Sequence, residues 1–197
     1  TKSTPMGSLD APFNPVSLAL GAEASFVART VDSDRKHLTS VLRAAADHPG
    51  TALVEIYQNC NIFNDGAFEV LKDKERAEEA VIRLEHGKPI RFGTDNSKGV
   101  VRDPLTGDLG VVAVTEDNQS QILVHDAHNP SPTTAFALSR LADADTLHHT
   151  PIGVLRSVER PVYDVLMSDQ LDTAIEQHGK GDLSALLAGS DTWTVVG

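Results

Sequence analysis

Cysteine occurs once in this chain, at Cys60, so no intramolecular disulfide framework can form. Aromatic residues make up only 5% of it, which leaves Ala, Val and Leu to fill the core. No apolar run approaches the roughly 18 residues of a membrane-spanning helix, and no membrane association is expected. Basic residues are scarce beside acidic ones, 17 against 28, for a formal net charge of -11. Such a surface repels phosphate backbones, and no basic patch interrupts it, so nucleic acid is not an expected partner. The dinucleotide fingerprint and the phosphate-binding loop are both missing. So is the Gly-x-Ser-x-Gly elbow, which makes Ser8 in Gly7-Ser8-Leu9 and Ser190 in Gly189-Ser190-Asp191 ordinary turn serines. There is no internal repeat and no low-complexity tract. The opening Thr1-Lys2-Ser3-Thr4-Pro5-Met6 has neither an initiator methionine nor a signal-peptide pattern, and it reads as a cut in a longer chain.

At 40% hydrophobic over 197 residues, enough apolar material remains for a sizeable core. Asn14-Pro15 reads as an N-cap followed by a first-turn proline, opening a short helix over 16–20 that stops at Gly21. Residues 25–30 read as a strand. Asp32 or Ser33 is the expected cap of the next helix, whose Leu38, Val41, Leu42 and Ala45 share one face. His48-Pro49-Gly50 ends that helix, and 52–57 forms a second strand, apolar enough to be covered on both faces. Strand, helix and strand in this order make a βαβ unit with parallel strands.

Beyond Phe68 the chain is charge-rich. Ala77, Ala80, Val81 and Leu84 line one face of an expected short amphipathic helix, which His86-Gly87-Lys88-Pro89 breaks. Short strands are expected at 90–92 and 99–102, a longer pair at 109–114 and 121–124, and a helix within 130–145. In that helix Ser131 or Thr133 lies near the cap, with Ala135, Leu138 and Leu141 inward. A strand around Val154 and a helix over 165–177 follow, then a tail ending in Trp193-Thr194-Val195-Val196. His125-Asp126-Ala127-His128 invites a metal reading, but no further ligand lies at a standard spacing. A solvent-facing loop is expected there, and likewise at His148-His149.

Cys60 closes the second strand of the βαβ unit, where open α/β sheets place ligands. Free cysteine is ordinarily a small buried hydrophobe. Its surroundings, Glu55-Ile56-Tyr57-Gln58-Asn59-Cys60-Asn61-Ile62-Phe63-Asn64-Asp65-Gly66-Ala67-Phe68, resemble the strand end and loop of the β subunits of 2-oxoacid:ferredoxin oxidoreductases, with the actinobacterial 2-oxoglutarate type nearest. Residues 14–58 also look like the tail of the pyrophosphate-binding domain of thiamine diphosphate enzymes. Residues 87–197 resemble the C-terminal extension of the actinobacterial subunits, notably at 99–114, 123–141, 150–164 and 189–197.

The resemblance implies an α/β fold of two parts. Residues 1–86 would be the second half of a thiamine-diphosphate-binding parallel-sheet domain, and 87–197 a mixed α/β extension for packing and subunit assembly. In the family the cysteine matching Cys60 is the last ligand of a [4Fe-4S] cluster whose other three cysteines lie earlier in the chain, and none of those is here. The amides of Ile62, Phe63 and Asn64 would point toward the cluster, and Asn64-Asp65-Gly66 would aim the loop. Lys2, Ser3 or Thr4 would lie at the rim of the active site, or form a free end.

The implied protein is cytoplasmic and heterotetrameric, and it contains thiamine diphosphate, Mg²⁺ and the cluster. It would decarboxylate a 2-oxoacid, chiefly 2-oxoglutarate, form an acyl-coenzyme A and reduce ferredoxin together with an α subunit. Its thiamine and substrate residues would lie upstream or on the partner, leaving this segment inactive alone and with no catalytic residue to name. The alternatives are a cluster-free thiamine diphosphate decarboxylase or carboligase, and a non-enzymatic interaction module.

Overall fold

Phe26-Val27-Ala28-Arg29-Thr30-Val31 contains neither Gly nor Pro and three β-branched residues, and it forms strand β1 (Phe26–Val31), buried along its whole length. The computed structural model describes residues 4–7, 9–191, 193, 195 and 197, so Lys2, Ser3 and Ser8, three of the residues singled out above, lie outside the described residues. These divide into two units, one through Arg160 and one from Pro161 onward.

Helix α1 (Pro15–Gly21) starts as its sequence dictates, with Asn14 Oδ1 accepting from the Ser17 amide at 2.9 Å. Helix α2 (Arg35–Asp47) connects β1 to β2 (Ala52–Tyr57), and the two strands pair in parallel as expected. Its cap is Asp34, accepting from the His37 amide at 3.1 Å. Asp32, one of the two expected caps, pairs instead with Lys72 at 3.1 Å, and Ser33 is exposed. Of the expected inward face only Val41 is fully buried, and Leu42 faces solvent. Nor is β2 covered on both faces. It is the sheet edge, half-buried, with Ile56 41% exposed.

Two short helices follow, α3 (Glu69–Lys72) and α4 (Lys74–Ala80). The expected helix face running on to Leu84 is cut there, because Val81 and Leu84 belong to strand β3 (Val81–Leu84). The β-branched pair Val81-Ile82 favours extended backbone, and a parallel partner is at hand in β7 (Thr150–Ser157). Strand β7 also pairs antiparallel with β1, giving the order β2-β1-β7-β3. A separate antiparallel sheet holds β4 (Arg91–Phe92), β5 (Lys98–Arg102) and β6 (Leu109–Ala113). The expected pairing of 109–114 with 121–124 does not form. β6 takes β5 as partner, Gln121 ends a 3₁₀ turn, and Ile122 and Val124 make only isolated bridges to Val101 and Pro89. Helix α5 (Thr133–Ser139) lies within 130–145 as expected, and beyond it Asp143 gathers the backbone into a turn by accepting from the Asp145 and Thr146 amides. Ala135 and Leu138 are buried as expected, and Leu141 partly so.

The alternation along β1 sorts the core. Val27 joins Val16, Leu20, Ile82 and Leu138 beneath α1 and α5, while Phe26 and Ala28 meet Val41 of α2 on the other side. Each such fully buried aliphatic or aromatic side chain contributes about 1.5–3 kcal/mol. Two buried arginines lock the register. Arg29 pairs with Glu55, its neighbour on β2, and lies 5.3 Å from the Tyr57 ring centre. Arg156 of β7 donates to the Ala24 and Pro130 carbonyls and to Glu23, tying two chain segments to the sheet. In the second unit, α6 (Tyr163–His178) and α7 (Leu183–Ala188) bury no residue. No helix among the described residues is long and apolar enough to cross a membrane.

Gly153 is where β7 fits most tightly. Its φ is +119°, and an added Cβ would lie 2.7 Å from the Leu84 carbonyl oxygen. Gly153→Ala is expected to cost about 2–3 kcal/mol, from backbone strain and a displaced β3. A lower urea midpoint at unchanged slope is the expected reading, and a midpoint equal to wild type would refute it.

Candidate functional site

Strand β2 ends at Tyr57, and the chain turns back at once through Cys60. Asn64 donates its amide to the Cys60 carbonyl at 2.9 Å, and the two residues form an isolated antiparallel bridge. Asn59 holds this turn from within. Its Nδ2 donates to Asp65 Oδ1 at 2.8 Å and its Oδ1 accepts from the Gly66 amide at 2.9 Å. Asn64-Asp65-Gly66 thus shapes the loop, as expected, with Gly66 at φ +79°. The pinning role of Asn59 is not evident from the sequence, where it is one of three asparagines within six residues.

The loop leaves the Cys60 residue half-buried and surrounds its thiol with donors. Amides of Phe63, Ile62 and Asn64 donate toward the sulfur and hold its pKa below the ordinary thiol value, against the opposing charge of Asp65. That direction favours the thiolate, the form that binds metals and attacks electrophiles. Ile62 and Phe63 beside it are exposed large hydrophobics. Among the described residues no group of three or more His, Cys, Asp or Glu side chains is placed to hold a metal ion.

His125 is buried rather than in a solvent-facing loop, because its Nε2 meets the Val154 carbonyl at 2.8 Å and the chain just after it is held to β7, the Ser157 amide donating to the Ala127 carbonyl. His128 is exposed, as expected, and its Nδ1 lies 2.6 Å from the Ser157 carbonyl, a contact that puts the proton on Nδ1. His86 stacks edge-on against it, with ring centres 4.3 Å apart. His148 is exposed, while His149 is half-buried with its ring against Phe92. Thr4 accepts the Gly7 amide in a turn, and Ser190 is exposed.

In the metal-free chain, alkylation of Cys60 is expected to reach half its maximal rate at a lower pH than in the same chain unfolded in urea. Asn59→Ala releases the loop and should move that midpoint back upward. Identical midpoints in folded and unfolded chains would show that the amides do not act on the sulfur.

Burial pushes the pKa of His125 below 6.5, although the Val154 carbonyl pulls the other way. His37 and His48 are lowered by the same cause. The unfolded chain therefore takes up protons near pH 6.5 that the native chain refuses. Their contribution to stability is complete above about pH 6.5 and is lost as pH falls through that value toward the native pKa. Melting temperatures should decline from pH 7.5 to 5.5, and less steeply in His125→Gln. Parallel profiles for the two proteins would exclude His125 as a source.

No protein-family model matches the chain. It is 54% identical over 197 residues to the 2-oxoglutarate oxidoreductase subunit KorB of Mycobacterium tuberculosis, a match covering 99% of this chain and 52% of that protein. It is 28% identical over 127 residues, 60% of its length, to the 2-oxoacid:ferredoxin oxidoreductase subunit beta of Saccharolobus solfataricus, and covers 40% of that subunit. Among solved structures, a 2-oxoglutarate:ferredoxin oxidoreductase from Magnetococcus marinus, with 2-oxoglutarate, coenzyme A and succinyl-CoA bound, superposes with a TM-score of 0.58. That match has 19% identity and covers 96% of this chain and 48% of the other, a likeness of fold. The chain spans about half the length of the KorB relative. Across that span, this chain is similar to the β subunits of 2-oxoacid oxidoreductases.

Proposed function

We propose that this chain is the part of a 2-oxoacid:ferredoxin oxidoreductase β subunit that supplies one cysteine ligand, Cys60, to a [4Fe-4S] cluster, with 2-oxoglutarate as the 2-oxoacid. The observation that carries the reading is the Cys60 loop, a half-buried thiol whose pKa three backbone amides hold below the ordinary thiol value. The likeness to KorB, which runs through the whole chain, supports it.

The donor chemistry fits such a cluster, which is held by cysteine thiolates. It fits as a single contribution, since the chain has one cysteine. When bound, thiamine diphosphate with Mg²⁺ supplies the decarboxylation of the 2-oxoacid, and the cluster supplies one-electron transfer to ferredoxin, with coenzyme A as acyl acceptor. No residue of this segment is assigned to thiamine diphosphate, to Mg²⁺ or to the substrate. What the chain's own residues do is bind and orient. Cys60 presents its sulfur, and the amides of Ile62, Phe63 and Asn64 stabilise negative charge there, which tunes the potential of whatever the sulfur ligates. Asn59 and Gly66 fix the loop, and the Arg29–Glu55 pair anchors the strand from which it springs.

In this reading residues 1–86 contribute to the thiamine-type domain, and 87–197 serve packing and assembly with an α subunit in a cytoplasmic heterotetramer. The boundary at 86 is one of role, since β7 lies in the same sheet as β1.

Cys60→Ala in the assembled enzyme removes the anionic sulfur donor, and neither solvent nor a serine oxygen replaces it well. Iron content should fall, the low-temperature electron paramagnetic resonance signal of the reduced enzyme should disappear, and ferredoxin-linked turnover should drop at least about a hundredfold, close to 3 kcal/mol on the barrier. Slow substrate-dependent carbon dioxide release should persist. Unchanged iron and unchanged electron transfer would return Cys60 to the status of an ordinary thiol.

A further inference from the structure

Residues 58–67 separate the end of β2 from Phe68, and the two stems of that loop meet side chain to side chain. The Tyr57 and Phe68 rings stack nearly parallel, with centres 4.8 Å apart and an interplanar angle of 11°. Aromatic pairs at such a separation attract beyond the area they bury. Both rings pack against the core cluster that holds Val31, Leu71 and Ile152. The buried Arg29 guanidinium, itself fixed by Glu55, lies 5.3 Å from the centre of the Tyr57 ring and adds a cation–π attraction. A second tie runs through Asp32. Its amide donates to the Tyr57 carbonyl at 3.0 Å on the entering stem, and its carboxylate pairs at 3.1 Å with Lys72, which follows the leaving stem.

The tip of the loop has no such support. Residues 61–66 are all exposed, so no burial fixes the direction of the Ile62, Phe63 and Asn64 amides that donate toward the sulfur. Their direction is set by how the loop is closed, at its stems and, through Asn59, across its middle. A short loop whose ends are held together samples few conformations, and one whose stems part samples many.

We infer that Tyr57 and Phe68 are positioning residues for the Cys60 sulfur. Their stack clasps the two stems, and the clasp keeps the amides of Ile62, Phe63 and Asn64 on the sulfur. Neither ring touches the sulfur's own reactions; both act through the loop. In the assembled enzyme the same amides stabilise the extra negative charge of a reduced cluster, so the clasp holds the reduction potential up. The effect on the metal-free thiol stands by itself, whereas the effect on the potential rests on the reading of Cys60 as a cluster ligand.

The test begins with the full chain, metal-free. Phe68→Leu keeps an apolar side chain against the core cluster and removes the stack, while Tyr57→Phe keeps the stack and removes a hydroxyl. Alkylation of Cys60 in Phe68→Leu is expected to reach half its maximal rate at a higher pH than in wild type, with a rate at about pH 7 lowered at least about threefold. Tyr57→Phe should follow the wild-type profile. A merely structural role would lower the melting temperature of Phe68→Leu and leave its alkylation profile at wild type, and that result overturns the clasp. Where Phe68→Leu fails to fold, Lys72→Met loosens the leaving stem without touching the rings, and a wild-type profile in it overturns the inference equally. In the assembled enzyme Phe68→Leu should keep its iron and show a cluster midpoint potential more negative than that of wild type, with Tyr57→Phe unchanged. A potential equal to wild type overturns the role in the cluster. Unchanged iron in Cys60→Ala overturns the cluster reading alone, and the alkylation profiles then still decide the clasp.

Discussion

The first unit depends on the insertion of β7 between β1 and β3. Without it β3 has no sheet to join, β1 loses its antiparallel neighbour, and the Arg156 hydrogen bonds that hold residues 23–24 and 130 against the sheet cannot form. The strand is buried almost throughout, and Gly153 lets its backbone approach Leu84 more closely than any side chain would permit. The buried arginines belong to the same constraint. A guanidinium removed from water is tolerable only when paired and hydrogen-bonded. Glu55 supplies that partner to Arg29, while Glu23 and two carbonyls supply it to Arg156.

This frame is what gives Cys60 its setting. β1 and β2 run parallel, so the chain leaves β2 at the end of the sheet where β1 also finishes, and Asp32 after β1 donates its amide to the Tyr57 carbonyl at 3.0 Å. The loop that follows is thus tethered at its root by backbone and across its middle by the Asn59 side chain. A thiol on a mobile loop would sample many surroundings. Here it is held among three amides, and its lowered pKa follows from that fixed geometry.

Much of this was legible in the sequence, because local signals and tertiary outcome agree there. The Asn14-Pro15 start of α1, the parallel β1–α2–β2 unit and the turn at Asn64-Asp65-Gly66 all rest on interactions within a few residues or on hydrophobic period. Failures occur where a distant segment decides. Val81 and Leu84 fit a helical face as well as a strand, and only β7, some seventy residues later, resolves the choice. His125 looks like a polar loop residue, and its burial depends on a carbonyl of β7. The exposure of β2 and the pairing of β6 with β5 are likewise matters of neighbours, which periodicity does not encode. At Cys60 the family likeness supplied what spacing lacked, since a lone cysteine carries no ligand pattern.

The late position of β7 also bears on biosynthesis. A ribosome extends the chain at about 5–20 residues per second, so on the order of ten seconds separates the emergence of β2 from that of β7. During that interval β1 has one open edge, a nascent sheet displays its hydrogen-bonding groups, and chaperones have an apolar strand to hold. The Cys60 loop therefore rests on a finished scaffold only after translation has passed residue 157.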